Sequence, residues 1–348
     1  MNLKEKLENF DPNNLGYTSG NIFGLPFDIN EAQLVILPVP WEVTVSYSSG
    51  TANAPEAIFE ASFQVDLYDP AVEDAWKAGI AMDAVNQEIK TQSDLLRVKA
   101  EKYIAMLTEG ISPDENMEMI AIRDEINEAG FNLNAWVKSQ AMGFLNQHKL
   151  VALLGGDHST PLGLIQALAD KYQSFSILHI DAHADLRKAY EGFEFSHASI
   201  MFNALKIPQV TKLVQAGIRD YCEDEVKLIN SDNRIVTYFD RDIKHSMYEG
   251  KSWSAMVNDI LADLTEDVYI SIDIDGLDPK LCPGTGTPVP GGFEFEQITY
   301  LIEKLVKTKR RIIGFDLNEV SPRDDEWDAN VGARILYRVA NLAIKSFK

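Results

Sequence analysis

Short apolar, β-branched runs punctuate the chain: LVILPVP at 34–40, LVALL at 150–154, SILHI at 176–180 and KLVQAGI at 212–218. RIVTYF at 234–239, VYISIDI at 268–274 and RIIGFDL at 311–317 follow. Their polarity is continuous rather than alternating, as expected of strands covered on both faces. Segments with helical periodicity separate most of them, among them 161–172, 253–264, 294–308 and 328–346. Thr160 followed by Pro161 reads as the cap and first residue of the first of these helices. Strand alternating with helix predicts βαβ units, hence an α/β fold with a mostly parallel sheet and helices on both faces. The segment 86–147 breaks this rhythm: it is polar and helix-prone, with the loop-like ISPDENMEM inside it. It offers little core of its own, so one domain over 1–348 carrying a helical excursion at about 86–147 is expected.

Composition narrows the function. The 348 residues are 45% hydrophobic and 24% charged, enough apolar content for a sizeable core. A formal net charge of −21 excludes a nucleic-acid partner, which needs a basic footprint. Surplus acid suits a cationic ligand, although solubility alone would explain it. Cys222 and Cys282 are too few for a disulfide framework and read as packing residues in a reducing compartment. The N-terminal MNLKEKLENFDPNN has no apolar signal region, and no run approaches the ~18 apolar residues of a membrane span. A cytoplasmic protein without membrane contact is expected.

The candidate chemistry sits where the apolar runs end, the place parallel sheets put functional groups. LLGGDHSTP carries Asp157 and His158 just past its strand, and HIDAHAD carries Asp181, His183 and Asp185. YISIDIDGLDP carries Asp273 and Asp275. In extended backbone, alternate residues project to one side, so Asp181, His183 and Asp185 would face one volume, as would Asp273 and Asp275. A lone DxD after a strand is ordinarily a turn or cap, and a lone loop histidine an ordinary polar residue. Three such groups at three strand ends are not so easily dismissed. Carboxylates crowded this closely cannot all stay charged without a cation. Four carboxylates and two imidazoles exceed the needs of one ion and suit two ions with bridging carboxylates. Oxygen and nitrogen ligands without thiolate favour Mn²⁺, with Co²⁺, Ni²⁺ or Zn²⁺ as alternatives. His179, inside its strand, reads as a core histidine or a support for a ligand.

Two ions sharing a water lower its pKa enough for it to attack near neutral pH. His197, on the loop FEFSHAS, has the titration range of a proton carrier for the leaving group. RIIGFDLNEVSP ends a late strand with Asp316 and Glu319, and a carboxylate there could grip a cationic substrate group.

These motifs resemble the ureohydrolase family of arginases, agmatinases, formimidoylglutamases and their relatives. The matching stretches are GGDHS at 155–159, DAHAD at 181–185, SIDIDGLDP at 271–279, TGTPVPGG at 285–292 and FDLNEVSP at 315–322, with PVPWEVTVSYSSGTANAPEAI near 38–58. They keep family order over most of the chain. The resemblance implies a three-layer α/β/α fold of the arginase–deacetylase type, with a mostly parallel sheet of about eight strands. It implies two Mn²⁺ per subunit: one on His158, Asp181, Asp185 and Asp273, the other on Asp181, His183, Asp273 and Asp275, with Asp181 and Asp273 bridging. His197 falls at the family's proton-shuttling histidine and Glu319 at its guanidinium-binding carboxylate, so both are expected to bind substrate. The reaction implied is hydrolysis of a guanidino group to urea and an amine, in a homo-oligomer, commonly a trimer or hexamer.

DAHADLRKAYEGFEFSHASIM lacks the Asn-containing stretch and SGNxHG of arginases and resembles the agmatinase pattern. Agmatine is therefore the expected substrate. Arg187 and Lys188 point the other way, since a cation near the substrate tail would suit a carboxylate such as that of guanidinobutyrate. Arginine, guanidine and formiminoglutamate are the remaining alternatives. A zinc deacetylase of the same fold uses one metal, and a non-catalytic relative would lack a ligand or His197; the complete set argues against both.

Overall fold

The computed structural model describes residues 2–14 and 20–348. Its strands are β1 (Leu34–Val39), β2 (Ile80–Met82), β3 (Leu150–Gly155), β4 (Phe175–Ile180), β5 (Val210–Ile218), β6 (Ile235–Phe239), β7 (Asp267–Asp273) and β8 (Arg311–Asn318). All are parallel and form one sheet in the order β2-β1-β3-β8-β7-β4-β5-β6. Every apolar run of the sequence lies on one of these strands. Only β2 went unread: three residues are too few for a pattern, and it forms by pairing with Leu34–Ile36 at the sheet edge.

The helices are α1 (Leu3–Asn9), α2 (Ala54–Ser62), α3 (Gln87–Thr108), α4 (Met117–Leu145), α5 (Leu162–Ala169), α6 (Ile200–Ala204), α7 (Glu223–Ser231), α8 (Asp240–Tyr248), α9 (Trp253–Ala262), α10 (Phe295–Lys307) and α11 (Trp327–Lys345). Two apolar cores flank the sheet. One gathers α2, α8, α9, α10 and α11 against Leu34, Ile36, Leu178, Ile270 and Leu317. The other gathers α3 to α6 against Val39, Leu153, Ile177 and Tyr269. Successive strand residues thus feed opposite cores, so the strands are apolar throughout. The result is the expected three-layer α/β/α fold.

The segment 86–147 folds as α3 and α4, each opened by an asparagine cap. Asn86 accepts from Glu88 N and Ile89 N, and Asn116 from Glu118 N and Met119 N. At 29 residues, about 44 Å, α4 packs along α5 and over β1 and β3. One capping expectation fails. Pro161, not Thr160, stands in the cap position of α5, without a side-chain cap bond. The Thr160 hydroxyl turns instead to Asp157 O at 3.1 Å and Asn318 Oδ1 at 2.8 Å, tying β3 to β8.

Candidate active site

The four central strands β3, β8, β7 and β4 are neighbours, and their carboxyl ends deliver every acid and histidine singled out above except His197, which follows on the loop after β4. After β3 the chain turns through Gly155 and Gly156, where a side chain on Gly156 would run into the Trp41 carbonyl. That close approach lets Asp157 N bond Trp41 O at 2.8 Å and carries His158 into the interior. His158 Nδ1 lies 3.1 Å from Asp181 Oδ2, 3.2 Å from Asp185 Oδ2 and 3.3 Å from Asp273 Oδ2. On the far side, Nε2 lies 2.9 Å from Ser271 Oγ, whose proton goes to Asp316 Oδ1 at 3.0 Å. The serine must therefore accept from Nε2–H, which aims Nδ1 at the three acids. Asp316 is fully buried behind the histidine, so it supports the site rather than facing substrate.

The structure brings the acids together by a route other than the strand alternation expected. β4 ends at Ile180, and Asp185 adopts a left-handed backbone with φ of 53°. The chain curls so that His183 N donates to Asp181 Oδ1 at 2.5 Å. Past β7, residues Ile274–Gly276 form a 3-10 turn in which Asp275 N donates to Asp273 Oδ1 at 2.8 Å. His183 Nδ1 then lies 3.0 Å from Asp275 Oδ2 and 3.5 Å from Asp181 Oδ1. These turns spend a backbone N–H on Oδ1 of Asp181 and of Asp273 and turn Oδ2 of each toward His158.

His179 is fully buried with Nε2 2.7 Å from Asp181 Oδ2. Thr237 donates to Gln215 Oε1 at 2.9 Å, and the Gln215 amide donates to Ala184 O at 2.8 Å and to His179 Nδ1 at 3.0 Å. That chain fixes the tautomer: Nδ1 accepts, so Nε2–H donates to Asp181. The histidine orients a carboxylate. Gln215 and Ser271 escaped the sequence reading, yet a polar residue inside KLVQAGI or YISIDI was a signal that could have found them.

Electrostatics shows what the cluster lacks. Asp181 is held well below the usual carboxylate range: burial opposes its charge, but His179, His158 and His183 outweigh burial. Burial, then the charge of Asp181, pushes Asp185 up to about 6. Burial, then Asp275 and Asp181, pushes Asp273 well up. His158 and His183 are raised because their carboxylate partners outweigh burial. Asp275 Oδ2 is buried and accepts no hydrogen bond. A divalent cation would remove the repulsion and give that oxygen a partner. Donor atoms of His158, His179, Asp181 and Asp185 lie within 4.8 Å of one another, as do those of Asp181, His183 and Asp275, so each group could hold an ion. With Nε2 of His179 already carrying its proton to Asp181, Asp273 is the better fourth member of the first group.

Beside the cluster opens a cavity of about 440 Å³ whose lining includes His183, Asp185, His197, Arg187, Tyr190 and Asp220. His197 is gripped from one side: its backbone N donates to Thr44 Oγ1 at 3.2 Å, and Nδ1 lies 3.5 Å from the same oxygen. Burial, then the charges of His183, His158 and Arg97, lower its pKa. Glu319 is buried against the cluster in a left-handed conformation (φ 64°), with Oε1 accepting from His158 N at 2.8 Å. Burial first, then Asp157, raises its pKa well above the usual range, as expected of a carboxylate awaiting a cation. Arg187 is already engaged. Its guanidinium lies 4.8 Å over the Tyr190 ring, and Nε is 4.0 Å from Glu225 Oε2. Lys188 is exposed and does not line the cavity. Of the cysteines, Cys282 is buried and Cys222 half-buried, and both are free thiols.

A model of the arginase family matches residues 32–341. N(1)-aminopropylagmatine ureohydrolase of Thermus thermophilus is 31% identical over 312 residues, which are 90% of each chain. The chain belongs to the arginase family. An agmatinase of Pyrococcus horikoshii is 29% identical over 321 residues, 91% of this chain and 94% of that one. The crystal structure of agmatine ureohydrolase of Thermoplasma volcanium covers 99% of this chain and 98% of its own, with a TM-score of 0.68 at 21% identity, a likeness of fold. This arginase-family chain is accordingly a hydrolase of the kind that acts on guanidino groups, in a family dependent on two metal ions, and its buried His/Asp cluster fits that requirement. Among the described residues no helix is long and apolar enough to cross a membrane.

Proposed function

We propose that this hydrolase cleaves agmatine to putrescine and urea with two Mn²⁺ ions. His158, Asp181, Asp185 and Asp273 would hold one ion and Asp181, His183, Asp273 and Asp275 the other. The observation that carries the reading is a buried cluster of carboxyls too close for all to ionise, in which Asp275 Oδ2 accepts no hydrogen bond although His183 Nδ1 lies 3.0 Å away. When bound, the ions supply a water activated near neutral pH. Glu319 grips the guanidinium of the substrate and sets its carbon beside the cluster. Water oxygen bonds to that carbon, the bond from carbon to the alkyl nitrogen breaks, and the departing amine takes a proton. His197 relays that proton: held at its Nδ1 side by Thr44 and neutral at rest because its pKa is lowered, it takes at Nε2 the proton released as the water oxygen becomes the urea carbonyl and passes it to the departing nitrogen. Arg187 stacks on Tyr190 with its Nε 4.0 Å from Glu225 Oε2, which partly offsets its charge and supports a tail ending in ammonium over one ending in carboxylate.

A second reading is N(1)-aminopropylagmatine, the substrate in the name of the Thermus relative. The cavity is larger than a butyl chain fills, and Asp220 in its lining, with a side chain 69% exposed, forms among the described residues no ion pair other than that with His183. We further propose a single domain that assembles as a homo-oligomer, trimer or hexamer, in the cytoplasm; light scattering reads the assembly. Urea release by the Mn²⁺-loaded protein from agmatine, N(1)-aminopropylagmatine, arginine, guanidinobutyrate and guanidine tests the reaction. No urea from any would refute it, and turnover of arginine alone would refute the ammonium-tail reading.

A further inference from the structure

The helical pair α3–α4 lies outside the metal cluster, yet it touches both walls of the cavity. One wall is the loop 42–49, which brings Ser46 and Tyr47 to the lining and Thr44 to His197. Arg97 of α3, 8% exposed, reaches under this loop. Its Nη1 donates to Val43 O at 3.4 Å and to Val45 O, and its Nε to Ser49 Oγ at 3.2 Å. Glu42 N is held by Ser93 Oγ of the same helix at 3.0 Å. A buried guanidinium bonded to main-chain carbonyls, with Glu101 3.2 Å from its Nε, fixes the loop from behind the cavity wall.

The other wall is the segment 187–196, which lines the cavity with Arg187 and Tyr190. It reverses through a two-residue turn with positive φ at both positions, Glu191 at 54° and Gly192 at 85°. Tyr190 and Phe193 exchange backbone hydrogen bonds of 3.2 and 2.8 Å across it. From α4, Asn127 clasps this hairpin with both ends of its amide: Nδ2 donates to Gly192 O at 3.1 Å, and Oδ1 accepts from Glu194 N at 2.8 Å. From α3, the Tyr103 ring packs 5.1 Å from that of Phe193.

We infer that α3–α4 positions the tail of the substrate, with Arg97 and Asn127 as positioning residues for the two walls between which it lies. The inference rests on the guanidino-hydrolase reading and adds the element that sets tail recognition. The Arg97 wall holds His197 by hydrogen bonding at Thr44, whereas the Asn127 wall meets it through the edge of the Tyr190 ring at 5.8 Å, so the two residues differ in what they control. Asn127→Ala removes two bonds to one wall and raises KM for agmatine about tenfold, with kcat within about threefold of wild type. Arg97→Ala raises KM similarly and lowers kcat as well, and Arg97→Lys recovers part of both. Guanidinium ion, which has no tail, inhibits all of them with the wild-type Ki.

The test measures KM, kcat and guanidinium Ki for each variant after circular dichroism and metal analysis show a folded, loaded protein. Wild-type KM for agmatine in Asn127→Ala would overturn the inference, and so would a guanidinium Ki that rises in step with KM. If Arg97→Ala does not fold, Asn127→Ala alone decides. A wild-type protein that releases no urea overturns the underlying reaction instead.

Discussion

Asp185→Asn should stabilise the metal-free protein while destroying its response to metal. Asp185 is 5% exposed, and its carboxyl titrates at about 6. An unfolded aspartate titrates near ~3.9. A raised folded pKa means that the stability carried by this group is complete below about pH 4 and lost as pH climbs through 6. The gap of about two units at ~1.4 kcal/mol each puts the loss near 3 kcal/mol above pH 6. Asparagine is neutral, close in shape and at ease at the φ of 53° found here, so it removes that loss without disturbing the turn. An unmet need of its amide group reduces the gain, leaving about 1–3 kcal/mol and a shift of a few degrees in Tm. The assay is thermal unfolding of chelator-treated wild type and variant from about pH 4 to 7.5, repeated with Mn²⁺. The expected variant is the more stable of the two without metal above pH 6, matches wild type near pH 4, and gains less from Mn²⁺. A metal-free variant no more stable than wild type at the upper end, or a gain that does not grow with pH, would refute the reasoning.

Asp181→Asn removes the charge that three histidines surround, so metal content after dialysis should fall well below that of wild type, with urea production falling alongside it. Glu319→Gln keeps an oxygen for His158 N but loses the charge facing the guanidinium; kcat/KM should drop by about 10- to 150-fold with both metals retained by elemental analysis. His197→Asn should slow turnover by about 10²- to 10⁴-fold at unchanged metal content, and unchanged turnover would remove it from the reaction. Metal affinity by calorimetry should rise with pH through about 6, because ion binding must displace the proton held by Asp185.

Much of this was legible in the sequence because the relevant signals are local. LVALL, SILHI and VYISIDI are strands since both faces of the sheet are covered, and the acids that follow them sit at strand ends because βαβ topology puts them there. What stayed hidden depends on partners distant in the chain. The strand order arises from pairings such as Ala152 with Phe315 and Ile180 with Ile272, which no pattern within a run encodes. Thr160 looks like a cap until Asn318 arrives beside it. The alternation expected of DAHAD fails because the strand stops one residue earlier and Asp185 turns left-handed, a cost that the surrounding histidines maintain. The role of Arg97 stayed hidden because the loop groups it holds, the Val43 and Val45 carbonyls and Ser49 Oγ, lie about fifty residues upstream; its local partner, Glu101, reads as an ordinary helix ion pair.

The sheet order also bears on how the protein is made. β3 and β4 carry the first half of the cluster, but they are not neighbours: β8 and β7 lie between them. At about 4.8 Å per strand, the growing polypeptide must leave a gap of roughly 14 Å until its last two strands emerge. Until then one edge each of β3 and β4 lies unpaired, in a topology of long-range parallel contacts that folds slowly. A nascent chain stopped before residue 267 has His158 and Asp181 but neither the strands that space them nor Asp273 and Asp275. A cage that needs Asp273 and Asp275 is therefore complete only after β7 has been inserted, so metal binding by the full cluster is expected to follow closure of the sheet rather than to template it.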